Sequence, residues 1–278
     1  MKIKAPGKVN LALDILGLRP DGKHDMDMVN APVNLCDEIE LEVNGKDYDE
    51  IFCLNQQLPP VNTISKTLSL LRQNGLKNHY TILLTKAIPE QAGLGGGSAD
   101  AAALLWALDE LEDLQLSLPQ LEEIGFEIGA DVPCCLHDGF VRVQGAGERV
   151  TDLEVDWSIP VVLVQGTQGI STAQAFANFD ASDARPLDID IVQDAVRKRD
   201  IGLLYQTMTN AFEPQAFAAI DELAQIKEDM QDAGLVRVMM TGSGSCLMGF
   251  SVDDEVLEDA VETLKQKYPF VWKGKIGL

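Results

Sequence analysis

Basic residues are scarce in this chain. Lysine and arginine together number 22 among 278 residues, against 44 aspartates and glutamates, and the formal net charge is −22. A protein that binds nucleic acid without sequence preference needs a basic face, so this function class is excluded. An anionic ligand must instead be attracted locally, by helix N-termini, particular lysines or a bound metal, because the overall field repels it.

Cysteine and histidine are also few. The five cysteines are odd in number and contain no C-x-x-C spacing, and the three histidines are widely separated. These counts argue against a disulfide framework, a zinc site and a histidine metal cluster. The vicinal Cys134 and Cys135 follow Pro133, where we expect them to fill a buried turn as small apolar side chains.

Long hydrophobic runs are missing as well. No apolar run approaches the roughly 18 residues that span a bilayer, so no membrane contact is predicted. The N-terminal stretch is interrupted by Lys8, Asn10 and Asp14 and lacks a small-residue cleavage site, which indicates a strand and not a signal peptide. We therefore expect a cytoplasmic protein.

The composition is otherwise typical of a globular protein, with 46% hydrophobic residues over a length that suits two modest domains or one large one. Apolar periodicity predicts strands at 2–16, 37–43 and 80–88, helices at 62–75, from the glycine loop to 114 and between Ser117 and Gly129, and a hairpin at 139–150. There follow a strand at 159–165, an acidic segment, two helices, a strand at 237–251 bent at its glycines, a helix at 254–267 and a last strand. This order indicates an α+β fold, with domains at 1–155 and 156–278.

The most informative segment is IPEQAGLGGGSADAAALLWALDEL, at 88–111. A predicted strand leads into Pro89, four glycines within five positions, Ser98 and an alanine-rich helix. This order directs several backbone N–H groups and a helix N-terminus at one point, and both favour a phosphate. Glycines let such a ligand approach the backbone, because no Cβ stands in the way.

Two common phosphate motifs do not fit this segment. A Walker A motif needs a lysine near its end, and the glycine segment at 93–97 has no lysine at that place. A dinucleotide-binding fingerprint needs an acidic residue after a second strand, whereas Glu112 falls inside the predicted helix. A tight strand-to-helix loop without a ligand is a further alternative. Four glycines and a serine at the helix entry favour the phosphate site over it.

Three segments in order resemble the GHMP kinase superfamily. PEQAGLGGGSADAA at 89–102 is similar to its central motif P-x-x-x-G-L-G-S/G-S-S/A, KAPGKVNLALDILGLRPDGKHDM at 4–26 to its N-terminal segment, and MTGSGSCLMGF at 240–250 to its C-terminal glycine loop. The pattern K-x-N-L, G-x-R-x-D-G-x-H and G-A-D-V-P at 129–133 resembles the 4-diphosphocytidyl-2-C-methyl-D-erythritol kinases of non-mevalonate isoprenoid synthesis. The resemblance spans nearly the whole chain and implies a two-domain fold, with a ribosomal-S5-like N-terminal half and a ferredoxin-like C-terminal half.

The resemblance also implies a reaction, the transfer of the γ-phosphoryl group of ATP to a small alcohol. In this family pattern Asp131 is the general base and Lys8 its partner. Residues implied to contact ATP are Asn62, Lys86, Pro89, Ala92, Gly93, Leu94, Gly95, Gly96, Gly97, Ser98 and Ala99; residues implied to face the acceptor are Asn10, His24, Phe176, Gly242 and Ser243. Mg²⁺ is expected with ATP, held by phosphates and water with no protein ligand named, in a monomer or homodimer.

The chain departs from the subfamily pattern at the acceptor end. Lys23 stands where a cytosine-stacking tyrosine is usual, and Asn30 stands where an aromatic residue is common, while Phe176 is retained. Losing one stacking ring weakens base binding by about 1–3 kcal/mol. Three hypotheses stay open: the diphosphocytidyl-methylerythritol kinase with an altered pocket, a sister GHMP kinase whose anionic acceptor pairs with Lys23, and a nucleotide-binding module without catalysis.

Overall fold

The computed structural model describes residues 1–180 and 186–277. The strands are β1 (Lys2–Leu18), β2 (His24–Val43), β3 (Glu50–Cys53), β4 (Tyr80–Thr85), β5 (Val141–Gly145), β6 (Arg149–Asp152), β7 (Ile159–Gln165), β8 (Thr209–Asn210), β9 (Arg237–Met240), β10 (Leu247–Phe250) and β11 (Phe270–Ile276). The helices are α1 (Thr63–Gln73), α2 (Gly96–Glu112), α3 (Leu118–Ile128), α4 (Val132–Cys135), α5 (Thr172–Asp180), α6 (Ile189–Lys198), α7 (Ile201–Thr207), α8 (Glu213–Ala219), α9 (Asp221–Asp232) and α10 (Asp254–Leu264).

The strands of the two halves form one connected sheet. Its main path runs β3-β4-β2-β11-β7-β10-β9, with β1 and β5 also paired to β2. The junction between the halves is the antiparallel pairing of Ile276 in β11 with Val33 in β2. Because β2 also pairs with β1 and β4, β11 is connected through β2 to the first strands of the chain.

Strand β1 carries polar residues into the interior. Its pairing with β2 shifts register between Pro6 and Lys8 and again between Asn10 and Ala12. Such irregularities bend a strand and re-aim its side chains. Lys8 and Asn10 are both buried as a result, among apolar neighbours such as Val9 and Leu11.

Two helix layers bury apolar faces against different parts of the sheet. In the N-terminal half, α1 contributes Ile64, Leu68 and Leu71 to a core that α2 completes with Leu104 and Leu108. In the C-terminal half, α9 and α10 cover the other part of the sheet with Leu223, Ile226, Met230, Leu257 and Leu264. Burying each such side chain contributes about 1.5–3 kcal/mol, which fixes both helix layers on the sheet.

Most predicted elements are confirmed, with small shifts of their ends, and the α+β class is confirmed. The predicted helix at 62–75 is α1, which Asn62 caps by accepting a 3.0 Å hydrogen bond from the Ser65 N–H. The helix after the glycine loop is α2, and the helix between Ser117 and Gly129 is α3. Among the described residues, no helix combines the length and apolar character that a membrane crossing needs.

Three predictions for the C-terminal half and α4 need correction. The bent strand predicted at 237–251 is instead a hairpin, β9 paired antiparallel with β10 around a glycine turn. Between β7 and β9 the described residues form α5 to α9 and not two helices, and part of the predicted acidic segment, 181–185, lies outside the described residues. Cys134 and Cys135 occupy a short helix, in which Cys134 is buried and Cys135 is half-buried.

Candidate active site

A cleft of about 670 Å³ opens where the two glycine segments and β1 meet. We call residues 89–97 loop I and residues 241–245 loop II. Almost all of the predicted site residues line this cleft: Lys8, Asn10, Asn62, Lys86, Pro89, Ala92, Gly93, Leu94, Gly95, Gly96, Gly97, Ser98, Asp131, Phe176, Gly242 and Ser243. Ala99 lies behind them in the buried face of α2, and His24 lies beside the cleft and reaches it through Phe176.

Loop I ends at the N-terminus of α2. Gly95 is the N-cap residue and has a positive φ of 68°, in the left-handed region that glycine tolerates best. The first N–H groups of a helix have no acceptor within it, so those of Gly96, Gly97 and Ser98 are available to a ligand in the cleft. The α2 dipole adds to their attraction for an anion.

Three carbonyl groups of loop I accept hydrogen bonds from the C-terminal half. Buried Gln165 donates from Nε2 to the Glu90 oxygen at 3.1 Å and to the Gln91 oxygen at 3.3 Å. The Ser245 N–H donates to the same Gln91 oxygen at 3.0 Å, and the Cys246 N–H to the Ala92 oxygen at 3.2 Å. Loop I is therefore a shared element of both halves.

Lys8 and Asp131 form the charged pair of the cleft. The Lys8 Nζ lies 3.5 Å from the Asp131 Oδ2 and donates a 2.8 Å hydrogen bond to the Asn10 Oδ1. The Lys8 side chain is 7% exposed and that of Asp131 is 37% exposed, so the carboxylate faces the open cleft while the ammonium lies beneath it. The Lys8 N–H also donates to the Leu94 oxygen at 2.9 Å, which holds β1 in register with loop I.

A buried polar chain supports this pair from below. The Asn10 Nδ2 donates to the Asn30 Oδ1 at 2.7 Å, and the Asn30 Nδ2 donates to the Cys134 Sγ at 3.6 Å. Asn30, which the sequence marked only as a missing aromatic residue, thus connects β1 to the helix that follows Asp131. Its place opposite Asn10 in the β1–β2 pairing brings the two amides together.

Lys86 lies in a cluster of buried charges that the sequence analysis did not foresee. Its ammonium pairs with Asp37 and, at 2.6 Å, with the Asp100 Oδ2. Burial of the carboxyl group, opposed by Lys86 and reinforced by Asp37, raises the pKa of Asp100 to about 7. The Asp100 Oδ1 is buried without a hydrogen-bond partner among the described residues. The only sequence signal for this cluster was one aspartate among the alanines of α2.

The end of the cleft where the sequence predicted the acceptor is aromatic. The His24 and Phe176 rings stack with centroids 4.2 Å apart and planes 13° apart, and Phe176 packs edge-on against Phe212 at 5.0 Å. The His24 Nε2 lies 2.8 Å from the Asp180 Oδ1. Lys23 points elsewhere, with its Nζ 4.1 Å from the centre of the Phe126 ring in α3. The expected ion pair between Lys23 and an acceptor in the cleft is therefore not supported by its position.

Family models match both halves of the chain. The model described as GHMP kinases N terminal domain matches residues 62–139, and the model described as GHMP kinases C terminal matches residues 192–269. The first match contains loop I and Asp131, and the second contains loop II.

Curated relatives match over most of their length. A Geobacillus sp. (strain WCH70) protein named 4-diphosphocytidyl-2-C-methyl-D-erythritol kinase is 35% identical over 259 residues, which are 92% of this chain and 90% of the relative. A Bacillus cereus (strain AH187) protein of the same name is 35% identical over 266 residues, 95% of this chain and 92% of the relative.

Solved structures show the same fold. A crystal structure of 4-(cytidine 5'-diphospho)-2C-methyl-D-erythritol kinase superposes with a TM-score of 0.83 at 30% identity and full coverage of both chains. Homoserine kinase from Cytophaga hutchinsonii superposes with a TM-score of 0.79 at 20% identity, covering 100% of this chain and 95% of that one, which supports the fold alone. By its family models, its relatives and its fold, the chain belongs to the GHMP kinase family and is an ATP-dependent phosphotransferase with an alcohol as its acceptor.

Proposed function

We propose that the chain phosphorylates 4-diphosphocytidyl-2-C-methyl-D-erythritol at its 2-hydroxyl group, in non-mevalonate synthesis of isoprenoid precursors. The observation that carries the chemistry is the Lys8–Asp131 pair, which shares one cleft with the N-terminus of α2. The relatives named for this substrate support the choice of acceptor. As part of the proposal, residues 1–155 and 156–278 act as two domains with ATP bound between them, in a monomer or homodimer.

In this proposal loop I holds the triphosphate. The free N–H groups of Gly96, Gly97 and Ser98 donate to phosphate oxygens, and Asn62 and Lys86 lie on the side of the cleft that takes the nucleoside. Mg²⁺ would supply charge neutralisation on the phosphates. Among the described residues no group of three or more histidine, cysteine, aspartate or glutamate side chains could hold a metal ion. In this proposal the ion is held by phosphates and water, with Ser98 nearby.

The reaction requires one proton acceptor and one positive charge from the protein. The acceptor hydroxyl oxygen forms a bond to the γ-phosphorus, the bond from that phosphorus to the β,γ-bridging oxygen breaks, and ADP leaves with its electron pair. The hydroxyl proton passes to the Asp131 carboxylate, which lies at the open side of the pair. The Lys8 ammonium, held by Asn10, stabilises the negative charge of the carboxylate and of the transferred group.

The aromatic end of the cleft suits a pyrimidine base. The flat faces of His24 and Phe176 offer stacking surfaces, and the His24 ring nitrogens can hydrogen-bond to a base edge. The two rings stack on each other directly, so a base must displace one of them or bind at their edge. Because these rings already stack on each other, the alternative remains a sister GHMP kinase that phosphorylates another small alcohol. The non-catalytic module is disfavoured, because both Lys8 and Asp131 are present and paired.

The test is ADP release from the purified protein with Mg-ATP and a panel of alcohols: 4-diphosphocytidyl-2-C-methyl-D-erythritol, mevalonate, phosphomevalonate and homoserine. We expect turnover on the first alone. His24→Leu should then raise the KM for that acceptor by about 10-fold or more, as expected for a lost base contact, and leave the KM for ATP unchanged. Turnover on a different alcohol would identify that alcohol as the acceptor in place of the proposed one. ATP binding without any turnover would favour the non-catalytic module.

A further inference from the structure

Asn210 is a buried carboxamide beneath loop II. It lies at the end of β8, which pairs with β1 next to Leu13, and it is 6% exposed. Its Nδ2 donates to the Met240 oxygen at 2.8 Å and to the Gly242 oxygen at 2.9 Å. Its Oδ1 accepts the Phe212 N–H at 3.0 Å, which fixes the orientation of the amide group.

These bonds set the direction of the peptide group between Gly242 and Ser243. A trans peptide group is planar, and its N–H points opposite to its carbonyl oxygen. Since Asn210 holds the Gly242 oxygen on the interior side, the Ser243 N–H faces away from Asn210, toward the cleft that Gly242 and Ser243 line. Across the part of the chain that the structure describes, this N–H has no protein acceptor.

Loop II contacts both the strand that carries Lys8 and loop I. The Asn10 N–H donates to the Thr241 Oγ1 at 2.9 Å, which ties the loop to the strand of Lys8. A Cβ on Gly242 would lie 2.5 Å from the Gly93 oxygen, so the loop also touches loop I. Ser243 therefore lines the same cleft as the N-terminus of α2 and the Lys8–Asp131 pair.

We propose that Asn210 is a positioning residue, which holds the Gly242–Ser243 peptide group so that the Ser243 N–H donates to the transferred phosphoryl group. The inference rests on the proposed phosphoryl transfer. The N–H forms and breaks no covalent bond; it stabilises negative charge on the phosphoryl oxygens while the phosphorus moves from ADP to the acceptor. An oriented backbone donor of this kind is typically worth about 10²–10³ in kcat.

The charged groups around Asn210 matter for its test. Glu213 in α8 accepts the Met240 N–H at 3.1 Å and pairs with Lys227 at 2.7 Å. Arg237 in β9 donates to the Met208 oxygen at 2.5 Å. A carboxylate introduced at position 210 would face two carbonyl oxygens, which favour its neutral form.

The main variant is Asn210→Asp, with Asn74→Asp as its matched control. Asn74 undergoes the same chemical change and also loses a bond from its Nδ2 to a carbonyl, that of Leu70, but on the exposed end of α1. Calorimetry should show that Asn210→Asp weakens binding of a non-hydrolysable ATP analogue by about tenfold, the effect of one hydrogen bond to a charged group, and changes ADP binding less than about twofold. Its kcat relative to that of the wild type at the same pH should fall by about 10- to 100-fold. The loss should become smaller as pH is lowered, because the new carboxyl then regains a proton to donate.

A second variant tests the N–H itself and does not depend on Asn210. Ser243→Pro removes the backbone donor and the side-chain hydroxyl together. Ser243→Ala removes the hydroxyl alone and so measures its contribution to the affinity for the ATP analogue. The proline variant should lose affinity for the ATP analogue relative to the alanine variant, again without loss of ADP binding. The inference would be overturned if the variants lost affinity equally for the ATP analogue and for ADP. It would also be overturned if Asn210→Asp had the same nucleotide affinities and kcat as Asn74→Asp. If the wild type binds both nucleotides and phosphorylates no alcohol, the proposed function fails while these binding comparisons still decide the role of Asn210.

Discussion

Gly93 and Gly242 lie against each other and lock the two glycine loops together. A Cβ on Gly93 would lie 2.2 Å from the Thr241 oxygen, and a Cβ on Gly242 would lie 2.5 Å from the Gly93 oxygen. Both residues have positive φ, 75° and 55°. The glycine content of loop I thus serves a contact between the two halves of the chain as well as the proposed access for phosphate.

Gly93→Ala should separate the two loops. The new methyl group meets backbone and not a flexible side chain, so either loop must move, and both nucleotide affinity and the free energy of unfolding should fall. We expect ATP affinity to drop by about tenfold or more and stability by about 1–3 kcal/mol, measured by calorimetry and urea unfolding. The control is Gly202→Ala in α7, where the Cβ has an ordinary 3.5 Å contact. Unchanged affinity in Gly93→Ala would show that the contact between the loops is dispensable.

Asp131→Asn should remove the proton acceptor and spare the nucleotide site. We expect kcat to fall by about 10²–10⁴-fold, with ATP affinity near that of the wild type, because loop I does not involve Asp131. Steady-state kinetics and calorimetry measure the two effects. Asp138→Asn, at an exposed position a short distance along the chain, is the control. Turnover close to the wild type in Asp131→Asn would exclude this residue as the base.

The raised pKa of Asp100 predicts a pH dependence of stability. Between its ordinary value of 3.8 and about 7, the folded state holds the Asp100 proton more than the unfolded state does. The contribution of this group to the free energy of unfolding therefore falls as pH rises through that window, and it is constant above it. Asp100→Asn removes the titration, so its stability relative to the wild type should rise from pH of about 4 to about 7.

Urea unfolding at a series of pH values measures this difference. Asp232→Asn, at an exposed position of α9, is the control for the loss of one aspartate. A constant difference between Asp100→Asn and the wild type over this range would mean that Asp100 keeps an ordinary pKa. A difference that shrinks as pH rises would mean that ion pairing with Lys86 outweighs burial.

The large negative charge predicts stabilisation by salt. With a net charge of −22, repulsion among surface carboxylates opposes the compact state, and added ions screen it. The Tm should rise between about 0.05 M and about 0.5 M NaCl. Sucrose at matched osmolality controls for general exclusion effects. A Tm that stays constant or falls with NaCl would show that favourable ion pairs, such as that of Arg142 with Asp27, outweigh the repulsion.

The local part of the fold followed from the sequence. Alternation and helical spacing predicted β1, α1, α2 and α3, because each depends on which side chains face a core and on capping residues such as Asn62. The pairing of β9 with β10 was not predicted. The glycines between them are compatible with a bend or a hairpin turn, and hydrogen bonding to β7 decides between the two.

The site residues also fall into a group that the sequence predicted and a group that it did not. The glycine pattern located loop I, because phosphate binding by a helix N-terminus has a local sequence signature. Lys8 and Asp131 came from the resemblance to the GHMP kinases. The roles of Gln165 and Asn210 have none, since each is a single amide whose carbonyl partners lie about 75 and 30 residues away in the chain. The pairing of Lys86 with Asp37 and Asp100 was not predicted either, because these residues are 49 and 14 positions away from Lys86 in the chain.

The sequence by itself determined the fold class, the family and most of the residues that line the cleft, because these depend on short-range patterns and on residue types at set spacings. The tertiary structure alone decided why Gly93 and Gly242 must be glycines, where Lys23 points and which buried amides orient the loops. These features depend on contacts between segments that are distant in the chain. Leaving a buried donor or acceptor without a hydrogen-bond partner costs free energy, so only a few packing arrangements of these segments are stable.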